Sequence, residues 1–450
     1  MEQGRRTLLV GTMLAVFSIA FQSMGIATAM PTLMASFDAS ALYPWAFTTM
    51  ISGMLAATIV SGRVADQHGP AMPMYLGFAL FAAGLVLGWL APSVWVVLLA
   101  RLVQGLGAGA LNLTLAVTIA HGFSAQERPK VMAIYSFCWL LPAFIGPPIA
   151  AWLTHFDWRL VFAAMLPLVA LAFAITLPGL RGVQARFRPG EDEVGPVAAW
   201  PTAAITVAPS LILLAGQPLG WWSAVSAVAG VLALAWGLPR ILAPAARGFG
   251  PGIPSVVLTR ALQAGAFFAA ETMILVTLQD LRHYTPTEVG WALTIGSIGW
   301  TAASWLQSQR WVPWHRDTFI TVGALLTTAG LAGLVGFAWF TSLPLWSGLA
   351  AWVVAGLGMG FTMPSSAVAV MGLSPSFEQG RNQSSMQVAE AVGNSVVTAV
   401  VGSIYAALLV SQPQALGYTL ALAATLLVAI AAAAFSRRVG HIHNALLESA

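Results

Sequence analysis

Three features of this 450-residue chain predict an all-α polytopic membrane protein. Apolar residues fill 58% of the positions and charged residues only 8%, whereas a water-facing surface carries roughly a quarter charged residues. Apolar runs of about twenty residues, the length that crosses a hydrocarbon core of about 30 Å, recur fourteen times. The cluster Gly105-Leu106-Gly107-Ala108-Gly109 returns about 250 residues later as Gly356-Leu357-Gly358-Met359-Gly360, the mark of a duplicated unit.

The expected spans are 7–30, 44–64, 72–91, 95–120, 131–153, 159–178, 197–216, 221–243, 255–279, 287–307, 318–339, 344–371, 382–410 and 414–436. Arg5 and Arg6 precede the first, which is too long for a signal-peptide core and reads as an uncleaved helix. Basic residues keep loops on the cytoplasmic side. With the N-terminus inside, 16 of the 19 Lys and Arg residues fall in cytoplasmic segments, Arg260 among them; Arg159 and Arg282 fall outside and Arg101 lies in the membrane. Both termini are therefore expected in the cytoplasm. The glycine repeat joins the fourth span to the twelfth, eight spans on, so the seventh and eighth read as an insertion. The expected units are residues 1–180, a six-helix bundle; 181–254, cytoplasmic linkers around two inserted helices; and 255–450, a second six-helix bundle with a short tail. The first linker carries Arg181, Arg186 and Arg188 and then Glu191-Asp192-Glu193. Halves related in this way place a binding site at their interface near mid-membrane.

Composition and spacing exclude several classes. The basic residues are scattered singly, without the stripe that binds nucleic acid. Cys138 is the only cysteine, so no internal disulfide can form. No phosphate loop, nucleophile elbow or metal-ligand spacing is present, so an enzyme is not expected, nor a cofactor or metal site. His441 and His443 in the tail are too few for a metal.

Ionisable side chains are costly in hydrocarbon, which makes each a functional candidate. Arg101, Glu271 and Glu390 are the charged residues placed deep in the expected helices. Glu271 lies about eight residues from the outer end of its span, or about 12 Å in. Such a carboxyl can exchange its proton for a cation or release it when water reaches it. Gln104 follows Arg101 by one helical turn and shares its network. Trp139, Trp300 and Trp352, with Phe267 and Phe268 one turn from Glu271, are candidates for an aromatic cavity wall. Trp45, Trp95, Trp158, Trp221, Trp222, Trp311, Trp314 and Trp346 fall at span ends, where interfacial anchors belong.

Three patterns in register, Gly62-x-x-x-Asp66-x-x-Gly69, Arg101-x-x-Gln104-Gly105-x-Gly107 and Gly146-Pro147, resemble signatures of the major facilitator superfamily. The group they resemble most is the drug:proton antiporters with fourteen spanning helices. The resemblance implies two bundles that rock about a central site. It implies a gating role for Gly62, Asp66 and Gly69 in the loop between the second and third helices, and for Gly146 and Pro147 in the fifth. It implies a proton-transfer role for Arg101 and a cavity position for Gln22.

Departures from the pattern are equally informative. Aligning Ala29-Met30-Pro31 with the end of the family's first helix puts Gln22 where an acidic residue usually stands and Ala27 where an Asn does. Gln22 cannot carry a proton, so coupling is expected to move to Glu271, with Glu390 standing where a basic residue is common. Gln67, Pro70 and Ala71 replace the basic run after Asp66, and Ala150 and Ala151 replace two glycines after Gly146-Pro147. The expected activity is proton-coupled efflux of amphiphilic or drug-like small molecules across the cell inner (plasma) membrane by a monomer. The alternative is a dedicated exporter of one metabolite, lipid or natural product with weak or no coupling. The expected partners are that substrate, protons and the lipid bilayer.

Overall fold

The computed structural model describes residues 2–39, 42–124, 126–185, 187, 198–215, 220–284, 286–309, 311–409 and 414–442. Among these the regular structure is helical, with no strand. The first group of helices is α1 (Glu2–Ser36), α2 (Tyr43–His68), α3 (Ala71–Trp89), α4 (Val94–Gly122), α5 (Arg128–Phe156), the short α6 (Leu160–Ala163) and α7 (Met165–Gln184). Then come α8 (Ala199–Ala215) and α9 (Trp221–Ile241). The last group is α10 (Ile253–Val276), α11 (Pro286–Leu306), α12 (Arg316–Trp339), α13 (Leu345–Leu373), α14 (Gln379–Leu409) and α15 (Gln414–Ser436). Eleven stretches, one of them joining α6 to α7, are long and apolar enough to cross a membrane, and α8 holds a shorter apolar stretch, Ala199–Ile212. The chain is a multi-pass membrane protein.

The two groups use the same partner scheme. In the first, α1 packs on α5 and α7 while α4 packs on α2 and α3; in the second, α10 packs on α14 and α15 while α13 packs on α11 and α12. The repeated glycines explain the close approach of the central helix in each group. A Cβ on Gly105 or Gly109 would lie 2.1 or 2.3 Å from a carbonyl oxygen of α2, at Met50 and Met54, and one on Gly107 would lie 2.3 Å from the Phe81 nitrogen of α3. In α13, Gly356 and Gly360 press in the same way on Gly296 and Trp300 of α11, and Gly358 on Thr327 of α12. Both triplets thus alternate between two neighbours, which is why glycine recurs at every second position.

Both α2 and α7 end later than the sequence predicts, and they meet at one turn. The expected loop from Gly62 to Gly69 is helical through His68, and Gly69, with φ of 84°, breaks the helix where a side chain would be strained. The sixth span continues as α7 to Gln184 instead of ending at 178. Its last side chain clamps that turn, the Gln184 amide donating to the His68 carbonyl at 2.7 Å and accepting from the Ala71 N–H at 3.2 Å. Arg181 is therefore helical rather than part of a linker. Arg186, Arg188 and Glu191-Asp192-Glu193 lie outside the described residues, as do Arg310, His443 and the side chains of Ala27, Pro31 and Pro147.

Proline shapes the second bundle. Pro364 inside α13 lacks an N–H, which frees the carbonyl of Gly360 one turn earlier. Ser304 and Gln307 of α11 and its end donate to that oxygen, each at 3.2 Å. Gln307 also accepts from Arg316 at 3.0 Å and from Ser365 at 2.5 Å, so one amide oxygen at this corner receives both a buried guanidinium and a hydroxyl.

Candidate functional site

A cavity of about 310 Å³ lies between the two groups of helices. That volume is at the lower end of the range for small-molecule sites. The first group supplies Met24 from α1 and Met132, Tyr135 and Trp139 from α5. The second supplies Arg260, Phe267, Phe268 and Glu271 from α10, Gly296, Ser297, Trp300 and Thr301 from α11, Trp352, Met363 and Pro364 from α13, and Glu390 from α14. Of the expected site residues, Glu271, Glu390, Trp139, Phe267, Phe268 and Trp300 are thus brought to one space.

The aromatic wall is ordered ring against ring. Phe267 stacks on Trp352 with centroids 4.5 Å apart and an interplanar angle of 13°, and meets Phe268 and Trp300 edge-on at 5.6 and 5.7 Å. Glu271 lies one turn beyond Phe267 and Phe268 and is partly exposed to the cavity. Its carboxyl makes no hydrogen bond or ion pair in the described structure. The other acid differs. Glu390 Oε2 accepts from Arg260 Nε at 2.6 Å, and the same guanidinium donates to the Met363 carbonyl and to Ser366 Oγ at 2.8 Å. One arginine in the cavity wall therefore ties α10, α13 and α14 together.

Arg260 corrects the charge inventory drawn from sequence, which placed it in a cytoplasmic segment. It sits two turns inside α10, far enough in for its guanidinium to reach α14. The signal was present, since residue 260 falls within the expected span 255–279. Two residues expected in the cavity, Gln22 and Gln104, lie outside it. Gln22 is fully buried in α1, its amide unbonded in the described structure, and does not line the cavity. Arg101 and Gln104 are fully buried inside the first bundle. Arg101 donates to the Ala46 carbonyl at 3.2 Å and to Gln104 Oε1 at 2.7 Å, and Gln104 donates onward to the Gly84 carbonyl at 3.2 Å. This chain stitches α4 to α2 and α3, and it does not reach the cavity. Trp158, between α5 and α6, is buried, edge-on to Phe37 and Phe162.

The other expected motif residues lie at seams. Asp66, buried near the end of α2, accepts from the backbone N–H groups of Gly380 at 2.7 Å and Arg381 at 2.6 Å, at the start of α14. A carboxylate there meets the unpaired N–H groups and positive end of the helix. Gly62 makes room for the approach, because a Cβ on it would lie 2.6 Å from that of Ser384, whose hydroxyl donates to the Thr58 carbonyl at 2.9 Å. These hydrogen bonds join the two bundles at the end where Gly69 turns the chain. Gly146 lies in α5 against Met24 of α1, and Ala150, one turn on and fully buried, faces Gly25.

The comparisons with known proteins agree with this architecture. Residues 12–398 match the Major Facilitator Superfamily, and the chain belongs to that family. It is 24% identical over 424 residues to the multidrug transporter protein MdtP of Bacillus subtilis, covering 90% of this chain and 76% of that protein. It is 25% identical over 421 residues to the multidrug resistance protein Stp of Mycobacterium tuberculosis, covering 90% of this chain and 77% of that one. Among solved structures, the human organic anion transporter MFSD10 superposes with a TM-score of 0.69 at 13% identity, over 95% of this chain and 99% of that chain. The protein is a transporter and not an enzyme.

Proposed function

We propose that the chain is a proton-coupled efflux transporter of amphiphilic, drug-like molecules, and that Glu271 is the group shared between proton and substrate. The observation that carries this reading is a carboxyl without a described partner, set in the wall of an aromatic cavity between the two bundles. A carboxylate in a site of low polarity cannot stay charged without compensation, so it holds either a proton or a cationic group of the substrate. Binding one displaces the other, which is exchange. The aromatic faces of Phe267, Phe268 and Trp300 suit a flat or cationic lipophilic molecule. The names of the two relatives identical at 24% and 25% support a multidrug range.

In this reading the fourteen helices of 17 residues or more all span, with both termini in the cytoplasm and residues 1–180 and 255–450 as the two rocking units. The bias of Lys and Arg supports that orientation. Asp66 and Gly62 at the α2–α14 seam, and Gly146 and Pro147 in α5, are then gating elements on opposite sides of the site. The rival reading, a dedicated exporter with weak coupling, draws its support from the neutral Gln22 in α1.

Flux from proteoliposomes under an imposed pH gradient separates the two. Wild-type protein should move several unrelated lipophilic cations faster with the gradient than without it, and Glu271→Gln should lose that acceleration while keeping its fold. Gradient-independent transport of one compound class, unchanged in the variant, refutes the proposal in favour of the rival.

A further inference from the structure

A second concave site lies away from the cavity, on the helix pair α8 and α9. The pair docks on the main body through α8, which packs against α2 and α14, while α9 packs chiefly on α8. Between them runs an open slot of about 400 Å³ lined by Trp200, Ala203, Ala204, Val207, Leu211, Ala233 and Trp236. The three alanines keep one part of the slot shallow-walled, and two indoles flank it where α8 begins and α9 ends. Gly237 brings those ends together, a Cβ there lying 3.1 Å from the Pro201 carbonyl. Beside this end stands Arg240, exposed, its guanidinium 4.8 Å above the Trp236 ring and donating to the Trp236 carbonyl at 2.6 Å.

We propose that this slot is a binding site for one anionic phospholipid, with the headgroup phosphate at Arg240 and an acyl chain lying along the alanines. Three observations favour that occupant. The slot's own walls include exposed apolar side chains, Trp200, Val207 and Trp236, as a hydrocarbon-facing surface does. Tryptophans belong at the depth where headgroups meet acyl chains, and both indoles mark the arginine end. The charge is one-sided: from residue 199 to 252 the sequence holds Arg240 and Arg247 and no carboxylate. Arg63 lies within electrostatic reach of Arg247 and of Arg381, the latter paired with Glu378. A basic site facing the headgroup layer attracts anionic lipid, so a lipid phosphate complements it. A second copy of the chain is a poorer complement, because a symmetric contact centred on the slot brings Arg240 toward its own copy.

The test uses full-length protein, stripped of lipid in detergent and then titrated with dioleoyl phosphatidylglycerol or dioleoyl phosphatidylcholine. Bound lipid is counted by native mass spectrometry, and thermal unfolding is followed in parallel. Wild-type protein should retain phosphatidylglycerol in preference to phosphatidylcholine and unfold at a higher temperature with it. Arg240→Gln should reduce the preference about tenfold. Ala233→Phe, which fills the slot, should abolish retention of both lipids, and the milder Ala233→Leu should lower it in step. Equal retention of the two lipids, or retention unchanged in Arg240→Gln and Ala233→Leu, overturns the proposal. A dimer of the wild-type chain in light scattering that Ala233→Phe dissociates overturns it as well, by assigning the slot to a second copy. None of these readouts depends on transport, so they stand apart from the role proposed for Glu271.

Discussion

The first bundle lends the cavity Met24, Met132, Tyr135 and Trp139, none of them a charged group at neutral pH, whereas the second lends Arg260, Glu271 and Glu390 with Phe267, Phe268, Trp300 and Trp352. Yet the two bundles share one packing scheme, down to the alternating glycines of α4 and α13. Architecture was repeated and chemistry was not. The first bundle does hold a buried cation, but Arg101 bonds to Gln104 and to backbone within its own bundle. In the proposed rocking of the two bundles, the distances among Arg260, Glu390 and Glu271 would stay fixed while an uncharged wall slides past them, so no charge pair would have to break in hydrocarbon. The proposed coupling would then rest on what occupies Glu271.

Substitutions can break or sharpen that contrast, and four follow in order of expected effect. Arg260→Ala leaves Glu390 without its partner and removes the tie among three helices, so it should cost about 3 kcal/mol of stability, with much of the loss regained in the Arg260→Ala, Glu390→Gln double variant. Thermal unfolding of both variants reads the difference; equal melting of the single variant and wild type would mean that the pair holds nothing together. Arg101→Ala should cost about 2 kcal/mol by leaving the Ala46 carbonyl and Gln104 unsatisfied, while transport per folded molecule stays unchanged. Loss of gradient-driven transport in a stable Arg101→Ala protein would move a coupling group into the first bundle and end the asymmetry.

Ala150→Leu comes next, since the Ala150 side chain faces Gly25 with 3.3 Å between its Cβ and the position a Cβ on Gly25 would take. Overpacking there should cost about 1–3 kcal/mol and hold α1 off α5, which blocks closure on that side and slows efflux. Normal efflux would show that the contact is not a closing surface. Asp66→Ala is the mildest, about 1 kcal/mol for a lost helix cap. Spin labels near the ends of α2 and α14 should report a larger separated population in that variant, and an unchanged distance distribution would count against a gating role.

How much of this was legible in the sequence depended on what kind of fact was sought. The helical, multi-pass character followed from apolar run length, and the duplicated scheme from a glycine pattern whose spacing reflects close contact. Glu271 and Glu390 stood out because an isolated acid in an apolar run has few explanations. Helix rotation was harder to read. Gln22, Arg101 and Gln104 are polar residues in apolar helices just as Glu271 is, but their faces turn into a bundle, and which face turns inward is decided by neighbours remote in sequence. Arg260 was obscured by its place near the start of a span, where a basic residue is ordinarily sorted with the loop. The partners of Asp66 lie more than 300 residues away, so no local pattern names them.

The central claim, that one carboxyl on the second bundle serves proton and substrate in turn, is tested most directly by proton release on binding. Purified transporter in weakly buffered detergent solution, titrated with a lipophilic cation such as tetraphenylphosphonium, should release about one proton per cation bound, with affinity rising as pH rises, and Glu271→Gln should release none. Cation binding that is independent of pH and proceeds without proton release, alike in wild type and Glu271→Gln, would contradict the account.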